Sequence, residues 1–124
     1  MRILNMLMQK PLKEYPKRGE VYIANLDPAF GREIHKIRPI LIISNNLINQ
    51  NSFNVIAVPF SSIVPQIMGP DMIKVSLKGL NEESVILTDQ IKSIDKVRLF
   101  KKVRKISKQQ MQEVEKAIKL VLDL

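Results

Sequence analysis

The chain contains no cysteine. That excludes disulfides, zinc–thiolate centres and cysteine nucleophiles together, and is compatible with a reducing cytosol. Its one histidine, His35, cannot build a two-histidine ribonuclease site or the usual zinc cluster. The acidic residues form no recognisable divalent-metal array. P-loop, G-x-G-x-x-G and G-x-S-x-G motifs are absent. No apolar stretch approaches the roughly 20 residues that span a bilayer, so no membrane partner is expected. An enzyme made from this chain therefore works with arginine, hydroxyls, carboxylates and His35, and no cofactor is expected.

The sequence has 124 residues, 45% of them hydrophobic, with mean hydropathy near zero. This is one domain's worth, enough to bury about two-thirds of the unfolded surface in a single core. The formal net charge is +8 and the pI is near 9.9, which favours an anionic partner. The N-terminal "MRILNMLMQKPLKEYPK" has a broken apolar patch and no small-residue cleavage site, so residues 1–17 read as an extension rather than a signal peptide. Residues 18–124 read as one domain.

Short alternating segments dominate that domain. Strands are predicted over 17–25, 39–44, 54–58 (ended by Pro59), 72–77 and 85–87, with further short ones at 91–94 and 97–100. "LDPAFGREIHK" and "PFSSIVPQIMGPD" read as exposed loops, and the Asn-rich "SNNLINQNS" as a turn or short helical excursion. The C-terminus switches period. Ser107 followed by Gln110 is a capping-box signature, and Met111, Val114, Ile118 and Val121 recur at helical spacing. The expected architecture is mainly β: a small, strongly curved sheet or partly open barrel closed by a C-terminal helix over about 108–122.

"HKIRPILIIS" sets an arginine before an aliphatic run. Pro39 pushes Arg38 into extended geometry, and the apolar residues anchor that backbone in the core. RNA carries its own nucleophile, the 2′-hydroxyl. Attack on the adjacent phosphate needs a proton acceptor, a cation for the crowded phosphorane and a donor to the leaving 5′-oxygen. A fixed guanidinium matches phosphate oxygens and stays charged. From spacing alone, a solvated strand-end arginine is the favoured reading of Arg38.

Several stretches together resemble the MazF/PemK (Kid) family of type II toxins. "RGEVYIANLDPAFGREIHKIRPILIIS" is similar to the family's opening, in which R-G-[DE]-[VI] starts the first strand and G-x-E…R-P heads the second. "VIAVPFSS" is similar to its third strand, and "GLNEESVILTDQIKSID" to its G-L…[DE]-S-x…[DE]-Q-[IV]-[KR]-[ST]-[ILV]-D segment. The order and spacing run from Arg18 to the C-terminus. The resemblance implies an SH3-like, partly open β-barrel with a C-terminal helix. It implies a cytoplasmic homodimer that cleaves single-stranded RNA sequence-selectively and without metal, leaving a 2′,3′-cyclic phosphate and a 5′-hydroxyl. It further implies a MazE-like antitoxin with an acidic disordered tail, and DNA binding by the toxin–antitoxin complex.

Carried over by motif, the catalytic arginine falls on Arg38 and the catalytic hydroxyl on Ser61, with Glu33 as possible support. Phe30, Arg32, Lys36, Ser62, Gln66, Gln90 and Lys92 are the expected RNA contacts. Several have a plainer reading beside the functional one. Glu33 suits a loop salt bridge with Arg32 or Lys36, Gln90 an interface amide, Lys92 a solvated charge, and His35 a loop position. Phe60 suits the core better than base stacking. Ser61 stands where threonine is commoner, keeping the hydroxyl but not the methyl that restricts rotamers. Ile34 stands where many relatives carry glutamine. Two other functions stay open: a gyrase-targeting CcdB-like toxin of the same fold, and a non-catalytic RNA-binding barrel.

Overall fold

The structure is a computed structural model and describes residues 14–26, 37–76 and 83–124. Among the described residues, seven strands and two α-helices follow in chain order: β1 Glu20–Asn25, β2 Ile37–Ile42, α1 Asn46–Asn51, β3 Asn54–Ser61, β4 Met72–Val75, β5 Ser84–Leu87, β6 Lys92–Asp95, β7 Leu99–Lys105 and α2 Lys108–Leu122. Short 3-10 turns at Thr88–Gln90 and Lys96–Arg98 flank β6. The strands form one sheet in the order β4-β5-β3-β2-β1-β7, with β6 pairing β3 off that path. All of these pairings are antiparallel. The sheet is curved and partly open. Among the described residues no helix is long and apolar enough to cross a membrane.

Alternation along the strands feeds two apolar layers. Val21, Leu41, Val58, Phe60, Ile86 and Val114 belong to the layer that α2 covers. Tyr22, Ala24, Ile40, Ile42, Ala57 and Leu99 belong to the layer on the other face of β1, β2 and β3. Both faces of the central strands are therefore buried, which is why their apolar runs are nearly continuous. The α2 helix spans the predicted range, and its capping box is formed: the Ser107 hydroxyl accepts from Gln110 N–H while the Gln110 side chain accepts from Ser107 N–H. Val114 and Ala117 are its buried residues. Met111 and Ile118 pack at the margin of the core. Ala117, absent from the predicted stripe, shows how close the helix approaches the sheet.

Gly19 and its neighbours tie the strand ends together. Gly19 has φ +89, a conformation that side chains rarely adopt. Its N–H donates to Ile42 O at 2.8 Å and its carbonyl accepts from Ile106 N–H at 3.0 Å, tying β2 and the end of β7 to one residue. Arg18 Nη2 lies 2.8 Å from Glu115 Oε2 on α2. The buried Glu20 carboxylate accepts from Lys17 N–H at 2.7 Å and lies 3.1 Å from Lys102 Nζ. Burial, and then the Glu20 charge, push the Tyr22 phenol up to about 12.

β1 starts later and β4 ends earlier than the sequence-based expectation, and three further strands differ in ways that bear on the site. β2 begins at Ile37, two residues early, because Arg38 pairs with Ala24 and Ile37 with Asn25. β3 does not end at Pro59 but runs on to Ser61, since Phe60 and Ser61 pair with Ile86 and Val85 of β5. β7 extends to Lys105, well past the predicted end at Phe100. The loop after β1, residues 27–36, lies outside the described residues. The loop after β3 is exposed at Ser62, Ile63, Gln66 and Ile67.

Candidate functional site

The two candidate catalytic residues sit on adjacent strands. β2 and β3 pair through Ile40↔Pro59, Leu41↔Val58 and Ile42↔Ala57. Extending that register by two residues sets Arg38 across from Ser61, where paired Cα atoms are about 5 Å apart. Residues opposite one another project to the same face. That face is the one that carries Ile40, Ile42 and Ala57. Pro39 has no N–H to continue the ladder, so the hydrogen-bonded part stops at Ile40↔Pro59. Arg38 and Ser61 thus lie just beyond the last β2–β3 pair, each still paired on its other edge, with Ala24 and Val85 respectively.

Their surroundings suit anion recognition. Arg38 is half-buried, and its Nε is buried without a hydrogen-bond partner among the described residues. A buried guanidinium N–H without a partner costs on the order of 1–3 kcal/mol. Ser61 is 8% exposed. Its hydroxyl accepts from Ile63 N–H at 3.2 Å, which orients the oxygen and leaves its proton to donate. The candidates are thus one half-buried guanidinium and one buried hydroxyl donor on adjacent strands. Ile37, Ile63 and Ile67, next to them in sequence, are exposed and were not among the sequence candidates.

Lys92 and Gln90 approach from the opposite edge of β3. Lys92 pairs with Ala57, four residues before Ser61, which is about 13 Å along the strand. A lysine side chain covers part of that distance. Gln90 ends the 3-10 turn Thr88–Gln90, and both Gln90 and Lys92 are engaged by neighbours. Thr88 is buried, its hydroxyl donating to Asp71 O at 2.6 Å, which fixes that turn to the start of β4. Ser62 and Gln66 are exposed in the loop after β3. Phe60 is 1% exposed, a core residue and not a stacking platform. Phe30, Arg32, Glu33, His35 and Lys36 lie outside the described residues. Among the described residues, no group of three or more His, Cys, Asp or Glu side chains could hold a metal ion.

The sequence and fold are similar to known proteins. A sequence model of the PemK-like, MazF-like toxins of type II toxin–antitoxin systems matches residues 17–122. Endoribonuclease EndoA of Bacillus subtilis (strain 168) is 34% identical over 110 residues, 87% of this chain and 95% of that protein. The solved structure of the Mycobacterium tuberculosis toxin MazF-mt6 is 25% identical, with a TM-score of 0.71 over 85% of this chain and 97% of that one. MazF from Deinococcus radiodurans superposes with a TM-score of 0.79 at 22% identity, over 90% of this chain and 100% of that one.

Proposed function

Since this chain belongs to the PemK-like, MazF-like toxins of type II toxin–antitoxin systems, we propose that it is a sequence-selective endoribonuclease that cleaves single-stranded RNA without a metal. The similarity to EndoA, a named endoribonuclease, supports the activity. The observation that supports the site assignment is the β2–β3 register, whose extension by two residues would set Arg38 across from Ser61.

In the reaction, the 2′-oxygen forms a bond to the adjacent phosphorus and the bond from phosphorus to the 5′-oxygen breaks. The products are a 2′,3′-cyclic phosphate and a 5′-hydroxyl. Arg38 binds the non-bridging oxygens and stabilises the charge that builds on the phosphorane. A guanidinium is a poor general acid, so its role is electrostatic. One preorganised donor of this kind is worth about 10²–10³ in rate. Ser61 donates its hydroxyl proton in a hydrogen bond to the phosphate or the 2′-oxygen. The proton lost by the 2′-hydroxyl goes to a base, for which Glu33 is the candidate, and the departing 5′-oxygen takes a proton from water. Gln90 and Lys92 hold the strand on one side; Ser62 and Gln66 contact it from the loop after β3, and Phe30, Arg32 and Lys36 are further contacts.

The active form is a cytoplasmic homodimer, restrained by a MazE-like antitoxin whose acidic tail complements the +8 charge. Residues 18–124 make up the toxin domain, and 1–17 lie outside it. The test is incubation of purified protein with RNA in excess EDTA, followed by mapping of the ends. Cyclic phosphate and 5′-hydroxyl ends at a recurring motif are expected. Intact RNA across many sequences, or cleavage that needs magnesium, overturns the reading. A stalled gyrase–DNA complex without RNA cleavage would replace it with a CcdB-like activity.

A further inference from the structure

The charge of this protein is unevenly placed. Between residues 96 and 112 the sequence has seven lysines and arginines and no aspartate or glutamate. That segment alone carries nearly all of the net +8. It comprises the Lys96–Arg98 turn, β7 and the start of α2. β7 is the last strand on its side of the sheet. Lys101, Lys102 and Lys105 are exposed along it. Of these, Lys102 is partly neutralised by Glu20.

β7 also begins beside the candidate site. Ala24 pairs with Arg38 on one side and with Leu99 on the other. Leu99 is therefore two strand spacings from Arg38, about 10 Å. Arg98 Nη1 donates to Asn25 O at 3.0 Å, and Asn25 is the partner of Ile37. From there β7 runs away from the site toward Glu20, carrying its cations with it.

Edge lysines commonly keep a sheet from pairing with another chain. Two features go beyond that. The β1–β7 register shifts twice, leaving Phe100 and Val103 without a partner in the register. Phe100, at the first shift, is a 56% exposed aromatic set among cations. Such shifts also break the even row of main-chain groups that an added peptide strand would need. The edge thus favours an anion bound through side chains, with a face for stacking, over an acidic peptide bound through its backbone.

We propose that β7 is an auxiliary, sequence-independent track for the single-stranded RNA that flanks the cleavage position. Lys101 and Lys105 pair with phosphates and Phe100 stacks on a base. This inference rests on the endoribonuclease reading and extends it to the path of the substrate outside the cleavage groove.

The test compares the protein with its Lys101→Glu/Lys105→Glu variant on two single-stranded RNAs sharing one cleavage motif, of about 8 and about 30 nucleotides. The variant is expected to lose about tenfold in kcat/KM on the long RNA and less than about twofold on the short one. Its log–log salt slope on the long RNA should be shallower by about 1.4, two single-strand phosphate contacts at about 0.7 each. Lys101→Gln/Lys105→Gln should show the same slope change with a smaller loss, and guards against misfolding of the charge-reversed protein. Equal losses on both RNAs, or none, overturn the proposal. So does an unchanged RNA slope with lost binding of a polyglutamate peptide, which would assign the edge to a protein. Fluorescence anisotropy of the long RNA reads the same contrast if no RNA is cut, so failure of the activity and failure of the track are separable.

Discussion

Arg38→Met should separate function from stability. Methionine keeps an unbranched apolar stem and removes the guanidinium. Arg38 Nε is buried and lacks a partner among the described residues. An unsatisfied buried donor costs about 1–3 kcal/mol. Removing it offsets the packing lost at a half-buried position, so the variant is expected to be as stable as the parent or up to about 2 kcal/mol more stable. For a domain of this size, each kcal/mol shifts Tm by roughly 4–8 °C. The catalytic cost runs the other way. Loss of one preorganised phosphate donor lowers the rate about 10²–10³-fold, or roughly 3–4 kcal/mol. Thermal unfolding by circular dichroism and single-turnover cleavage of a defined RNA measure the two effects. A fall in Tm of more than about 4 °C would show that the arginine holds the fold together. A rate within about threefold of the parent would remove Arg38 from the chemistry. Either outcome refutes the reasoning, because a functional donor kept unpaired at a cost to stability should behave in the opposite sense.

Other expectations follow from single contacts. Ser61→Thr keeps the hydroxyl that accepts from Ile63 N–H and should retain most cleavage, whereas Ser61→Ala should lose about 10–10²-fold with a stability cost near 1 kcal/mol, read by the same two assays. Gly19→Ala places a side chain at φ +89 with no close contact, the nearest atom being Lys105 Cε at 3.9 Å. The cost is therefore conformational, about 1–2 kcal/mol in urea unfolding, and a larger loss would point to a clash that the backbone does not show. Tyr22 titrates near 12 instead of the usual 10.0. A raised folded-state value means that the folded protein holds the proton more tightly, so its contribution is complete below pH 10 and is lost as pH rises from 10 to 12. Ultraviolet titration of the folded protein should show one late tyrosine, absent in Tyr22→Phe.

The sequence made some of this legible and hid the rest for definite reasons. The capping box at Ser107 and Gln110 is local, so α2 could be read directly, as could the buried runs of β1 and β2. β3 was cut short because a proline usually marks the end of a pairing strand. Here Pro59 lies where β3 changes partner on one edge, from β6 at Ala57 to β5 at Phe60, and the strand continues through it. β7 was cut short because "LFKKVRK" does not alternate cleanly, and the two register shifts opposite β1 explain why it need not. The arginine at the head of β2 could be picked out by its proline and by family resemblance. That it faces Ser61 depends on the register of two strands separated by a helix, which no local pattern encodes.

The central claim is that Arg38 and Ser61 act on one phosphate as a pair set by the β2–β3 register. A double-mutant cycle of Arg38→Met and Ser61→Ala, read as single-turnover cleavage of one RNA, tests it most directly. Residues that serve the same transition-state charge are strongly non-additive. The account predicts that the double variant is no more than about threefold slower than Arg38→Met alone. Losses that multiply in full would place the two side chains in separate steps and contradict it.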